Sequence, residues 1–246
     1  MAISLKTRFA GLELSNPVII SSSGLTNSAE KNRKLCEAGA GAIVLKSLFV
    51  EQILMEVDSM QDSVYYPEGT DYLRESLKHH KLGEYLQLIA DSKKVCDVPI
   101  IASLNCYSSN EWAHFAAEIE KAGADAIEVN ILALQSDVNY QYGEFEQRHI
   151  DILRNVKAHT SLPVIMKLGM KLTNPVALIA QLYANGAAAV VLFNRMYQPD
   201  IDVEKMEHKS GKVFSSPEEL SRALRWVGIA SSQVDKIDYA VSGGVH

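Results

Sequence analysis

Apolar residues fall along this chain in two alternating rhythms. Short runs that are apolar on both faces recur at "NPVIISS" (Asn16 to Ser22), "AGAGAIVLKS" (Ala38 to Ser47), "VPIIASLN" (Val98 to Asn105) and "AGADAIEVN" (Ala122 to Asn130). They continue at "LPVIMKL" (Leu162 to Leu168), "NGAAAVVLFN" (Asn185 to Asn194) and "IDYAVSGG" (Ile237 to Gly244). Such runs suit parallel strands covered on both sides. Between them apolar positions recur at i, i+3, i+4 and i+7, the face of an α-helix. Leu82, Tyr85, Leu86 and Ile89 form one set, and Trp112, Phe115, Ala116 and Ile119 another. Pro175, Leu178, Ile179 and Leu182 form a third, and Leu220, Ala223, Leu224 and Val227 a fourth.

The punctuation agrees with the rhythm. Gly39, Gly123 and Gly186 stand where helices should end, and glycine takes the left-handed position there without a Cβ penalty. Pro17, Pro99 and Pro163 open strands, where a missing N–H costs little. Ser216-Pro217-Glu218-Glu219 combines an N-cap serine, a proline at the first helical position and a capping-box glutamate. Strand and helix therefore alternate, with no composition shift to mark a boundary. The expectation is one α/β domain over residues 1–246, a TIM (β/α)8-type barrel. Seven strand–helix units are readable and the eighth is not, so the chain reads as C-terminally truncated relative to a complete barrel. A doubly wound sheet is the competing architecture.

Composition narrows the function classes. Over 246 residues, 47% are hydrophobic and 22% charged, as expected of a globular protein with a full core. A net charge of −6 argues against general binding to nucleic acid or anionic membrane. No apolar run approaches the roughly 20 residues needed to span a bilayer. The N-terminus lacks a secretory apolar core. The cysteines, Cys36, Cys96 and Cys106, suit neither a disulfide framework nor a zinc site, which points to a reducing cytoplasm. No metal site, GxGxxG, P-loop or GxSxG motif is present.

Parallel α/β folds place their chemistry at the carboxyl ends of the strands. Those ends carry Ser21-Ser22-Ser23-Gly24, Lys46-Ser47, Asn105-Cys106, Asn130, Lys167, Asn194-Arg195 and Ser242-Gly243-Gly244. A single asparagine in such a place is commonly a turn residue. A lysine flanked by apolar residues, as in "VIMKL" and "IVLKS", requires an anionic or strongly hydrogen-bonding partner if it is buried. Two lysines and three amides on one rim suit a polar, planar ligand. The glycine pair can offer backbone N–H groups to a phosphate.

In order and spacing, "FAGLELSNPVIISSSG", "VLKS", "IEVN", "VIMKL", "LFNR" and "SGGV" resemble the dihydroorotate dehydrogenase family of FMN-dependent barrels. The resemblance implies FMN as cofactor, with Ser22, Ser23 and Gly24 along the flavin and Lys46 and Ser47 at its ring and ribityl region. It places Asn105 among the cofactor contacts and Lys167 at the pyrimidine side of the ring. Asn130 and Asn194 would bond flavin and substrate, and Gly243 and Gly244 would begin the phosphate cradle. The implied reaction oxidises dihydroorotate or a related planar dihydropyrimidine, and a homodimer is the implied assembly. The chain departs from the pattern where the family's cysteine base would align, at Ala133. Gln135 falls where the family has a further substrate-binding amide, and Ser136 and Cys106 are the nearest candidates for the base. "SVYYPEGTDY" (Ser63 to Tyr72) reads as a loop without the family's glycine- and asparagine-rich pattern. A Schiff-base lyase using Lys167 or Lys46, and a degenerate flavin-binding barrel without turnover, are the alternatives.

Overall fold

The structure is a computed structural model that describes residues 4–49, 67–105, 112–131, 133, 135–195, 200–211 and 214–245. A hairpin, β1 (Thr7–Phe9) and β2 (Leu12–Leu14), leads into β3 (Ile19–Ile20), α1 (Ala29–Glu37), β4 (Ala42–Val44) and β5 (Leu48–Phe49). Then follow α2 (Pro67–Val95), β6 (Ile100–Asn105), α3 (Trp112–Lys121), β7 (Ala126–Ile131), α4 (Glu144–Lys157) and β8 (Val164–Gly169). The chain continues through α5 (Pro175–Ala184), β9 (Ala189–Asn194) and a second hairpin, β10 (Asp200–Asp202) with β11 (Glu207–Lys209). A 3-10 turn (Pro217–Glu219), α6 (Leu220–Ser231) and β12 (Asp238–Val241) complete it.

The main sheet runs β12-β9-β8-β7-β6-β4-β3, with β5 pairing β6 beyond the end of β4. Among the described residues, every strand pair in it is parallel. All seven strands read from the sequence are present. They begin where the prolines say: the carbonyls of Pro99 and Pro163 accept from Ile43 N and Ile127 N, so each ring sits at a position that needs no donor. Gly39, Gly123 and Gly186 have φ of 96°, 94° and 88°.

Two apolar clusters show that the sheet curls. Outward-facing residues such as Ile43, Ile100, Ile127, Met166 and Val190 pack against helices. Inward-facing Val44, Ile101, Ala126, Ile165 and Val191, from strands spread across the sheet, meet one another instead. They can do so only around a concave interior, so the fold is a TIM-like barrel with seven strand positions. Phe9, Ala10 and Leu14 of the first hairpin join this inner cluster and form its floor. That hairpin turns through Ala10 (φ 52°) and Gly11 (φ 80°), and Ala10 N donates to Asp238 Oδ2 at 2.7 Å.

Two expectations change, and one element is added. Pro67 to Tyr72 open a long helix rather than completing a loop, while residues 63–66 lie outside the described residues. The polar stretch after Asn194 contains the antiparallel pair Asp200–Asp202 with Glu207–Lys209. On α6, Ala223 and Ala230 are buried and Trp226 and Val227 pack on the core, whereas Leu224 is 52% exposed. The capping box forms as read, with Ser216 N donating to Glu219 Oε1. No described helix is long and apolar enough to cross a membrane.

Candidate active site at the carboxyl ends of the strands

Each central strand sends alternate residues inward, and the character of those residues changes partway up. On β6 Ile101 is followed by Ser103 and Asn105; on β7 Ala126 by Glu128 and Asn130; on β8 Ile165 by Lys167. Parallel pairing sets Ser103 beside Glu128, and Asn105 beside Asn130 beside Lys167. The upper interior is therefore polar because of register alone.

Two hydrogen-bonded chains cross it. Lys167 Nζ lies 3.5 Å from Glu128 Oε1, with side-chain exposures of 7% and 4%. Ser103 Oγ donates to the same carboxylate oxygen at 3.3 Å, Ser47 Oγ lies 2.8 Å from Ser103 Oγ, and Ser22 Oγ lies 3.0 Å from Ser47 Oγ. The second chain is made of amides. Asn194 Nδ2 donates to Asn130 Oδ1 at 2.6 Å, and Asn130 Nδ2 donates to Asn105 Oδ1 at 3.0 Å. The apolar flanks of Lys167 require an anionic partner, and Glu128 is that partner; a buried charge left alone would cost several kcal/mol.

Local sequence explains how the parts arrive. The β4 strand leaves the ladder after Val44, and the chain bends so that Ser47 reaches Ser103. The buried Tyr85 hydroxyl of α2 meets the Ser103 backbone beyond the end of β4. It accepts from Ser103 N at 2.7 Å and donates to Ser103 O at 3.0 Å. Burial raises the pKa of that phenol, so it stays a neutral donor and acceptor. On β9 the inward rhythm of Ala189 and Val191 would bring Phe193 inside, but the register shifts between Leu168 and Gly169. Phe193 then packs outward and Asn194 turns in, the usual effect of a bulge.

A cavity of about 360 Å³ opens above these chains. Ser22, Ser23, Gly24, Lys46, Ser47, Asn105, Asn130, Lys167 and Asn194 line it, joined by Phe49 and Arg195. Residues separated by more than 170 positions are thus gathered at one mouth. Among the described residues no cluster suited to a metal ion occurs.

No protein-family profile matches the chain. A dihydroorotate dehydrogenase B (NAD(+)) catalytic subunit of Thermoplasma volcanium is 24% identical over 97% of this chain and 83% of its own length. That of Methanocella arvoryzae is 27% identical over 95% of this chain and 81% of its own. The chain is dihydroorotate dehydrogenase-like. A further relative, the NAD-dependent dihydropyrimidine dehydrogenase subunit PreA of Escherichia coli, is 26% identical over 97% of this chain and 62% of its own length. Among solved structures, an IMP dehydrogenase/GMP reductase-like protein from Corynebacterium glutamicum matches with TM-score 0.51 at 12% identity, covering 99% of this chain and 61% of that one. That likeness concerns the fold.

Within this dihydroorotate dehydrogenase-like barrel, several expected residues stand elsewhere than the sequence suggests. Lys46 is exposed at the rim, not buried, so it needs no internal counter-charge. Gly243 and Gly244 lie outside the cavity lining. Gly244 N donates to Ser215 Oγ at 3.0 Å, and a Cβ at Gly244 would fall 2.4 Å from Leu220 N, so this glycine is required by the close approach of α6. Gln135 and Ser136 are exposed and outside the lining. Ala133 is half-buried and packs on the core, and Cys106 lies outside the described residues. Glu128 escaped the sequence reading although "AIEVN" carries it in plain view. The available signal was spacing: an acid two positions from Asn130 on a strand shares its face. Arg195 pairs with Glu219 at 3.3 Å, beside the glycine pair.

Proposed function

We propose that this chain is an FMN-dependent oxidoreductase that oxidises a C–C single bond beside a carbonyl, in dihydroorotate or a related dihydropyrimidine. The observation that carries the reading is a nearly buried ammonium, Lys167, at the base of a cavity lined by three linked amides at the strand ends. A flat heteroaromatic ring with carbonyl and N–H edges suits that donor set, and Phe49 adds an apolar wall. The relatives' names, dihydroorotate and dihydropyrimidine dehydrogenase, agree with it.

A bound flavin supplies the hydride acceptor. The protein's share is placement and charge: Lys167 would hold positive charge against the pyrimidine edge of the ring, and Asn130 and Asn194 would orient ring and substrate. Ser22, Ser23, Gly24, Lys46, Ser47 and Asn105 would line the cofactor. Arg195, in the cavity lining, would offer the phosphate a cation. Removing the substrate proton requires a base within hydrogen-bond reach. Ala133 cannot be that base.

The same alanine favours a second reading, a flavin-binding barrel without turnover. A covalent role for lysine has no comparable support, since Lys167 is tied to Glu128 and Lys46 is exposed. The test is purification with excess FMN, followed by anaerobic addition of dihydroorotate. A yellow protein that bleaches supports the enzyme. A yellow protein that stays oxidised, and gains turnover with Ala133→Cys, supports the second reading. A colourless protein with unquenched flavin fluorescence overturns both.

A further inference from the structure

Glu128 does not line the cavity, yet hydrogen counting shows that it decides what part of the cavity wall offers a ligand. A serine hydroxyl has one hydrogen. Ser103 spends its hydrogen on Glu128 Oε1. The 2.8 Å contact between Ser47 and Ser103 must then be donated by Ser47. With that hydrogen spent, the 3.0 Å contact between Ser22 and Ser47 must be donated by Ser22. Ser22 Oγ also accepts from Ser47 N at 2.8 Å. What remains to Ser22, which is half-buried in the cavity wall, is a lone pair.

On the flavin reading proposed above, we infer that Glu128 is a positioning residue that fixes Ser22 as an acceptor, and that Ser22 receives a ring N–H of the bound ligand. The same carboxylate faces the Lys167 ammonium at 3.5 Å, and that ammonium lines the cavity, where its hydrogens can be donated to a ligand. The wall therefore presents an acceptor at Ser22 and a donor at Lys167, complementary to a ring edge that alternates N–H and carbonyl. A hydroxyl on the ligand could meet Ser22 in either polarity; a ring N–H cannot. The oxidised flavin ring has one such group, at N3.

Glu128→Gln should reverse the chain. Its amide oxygen would turn to Lys167 and its NH2 to Ser103, so that Ser103 donates to Ser47, Ser47 to Ser22, and Ser22 into the cavity. Ser103→Ala cuts the chain instead and frees Ser47 from its constraint.

The experiment titrates the apo-protein and both variants with FMN and with 3-methyl-FMN, by flavin fluorescence, and reads the ratio of the two Kd values. The parent should prefer FMN by about tenfold, the worth of one hydrogen bond left unmade. The ratio should fall toward one in Ser103→Ala and in Glu128→Gln, which a purely steric penalty of the methyl group would not do. Should Glu128→Gln fail to fold, Ser103→Ala decides alone. A parent ratio near one, or a high ratio that survives in the folded variants, overturns the inference while leaving the flavin reading standing. Failure of the parent to bind FMN overturns both.

Discussion

The lower and upper halves of the barrel interior are built from the same strands and differ in everything else. Below, Val44, Ile101, Ala126, Ile165 and Val191 pack on Phe9 and Leu14 of the hairpin floor. One inward step higher, the three central strands β6, β7 and β8 hold Ser103, Glu128 and Lys167. The lower layer stabilises by excluding water from apolar area. The upper layer takes two charges out of water and recovers part of that cost through their mutual contact. A protein selected for stability alone would continue the lower pattern upward, so the change of character marks where the fold gives up stability for a polar cavity wall.

The largest expected effect breaks the upper layer. Lys167→Met leaves Glu128 buried and unpaired and should cost about 3–5 kcal/mol in urea unfolding. Adding Glu128→Leu should restore most of that loss or exceed it, while flavin binding stays absent in both. If the double variant is as unstable as the single, the upper layer is not a net burden and the contrast fails. Next comes the lower layer: Ile101→Ala should cost about 2–4 kcal/mol through its cavity, with flavin affinity unchanged.

A smaller effect separates both layers from the outer shell. His149 on α4 is fully buried, with Nδ1 2.7 Å from Phe145 O and Nε2 without a partner among the described residues. Desolvation lowers its pKa below 6.5. Unfolding therefore takes up a proton between that lowered value and 6.5. The contribution of neutral His149 is complete above 6.5 and declines as pH falls through the native value. Unfolding measured from pH 7.5 to 5 should show this slope, and His149→Phe should flatten it, since the ring already packs edge-on against Phe145 at 4.6 Å. The smallest effect concerns the rim. Glu219→Gln keeps the capping box, which accepts Gln as well as Glu, but removes the ion pair between Glu219 and Arg195. FMN affinity should rise about threefold, within the range for one exposed ion pair, with riboflavin affinity unchanged.

What the sequence revealed follows the same division. Runs apolar on both faces identified the strands because parallel strands in this fold are covered on both sides, and their ends named most of the cavity wall. The inward turn of Asn194 was not legible, because it depends on a register shift between β8 and β9, a property of two strands together. Lys46 read as buried because its neighbours are apolar; the chain leaves the ladder at Val44, so the alternation that justified the reading stops two residues earlier. The floor hairpin turns on Ala10-Gly11, without the Asn-Gly or Asp-Gly that announces a two-residue turn. Its Ala10 takes a positive φ held by tertiary packing. Glu128 was readable and passed over, since an acid inside an apolar run attracts notice only when its face is asked for.

The bond from Ala10 to Asp238 spans 228 positions of chain. A nascent polypeptide emerging from the ribosome would present the turn of this hairpin 228 residues before the carboxylate that secures it. Sealing of the base is thereby deferred until the residues between the two have been made. Growing chains should stay open to proteolysis at the hairpin, and protection there should arrive in one late step.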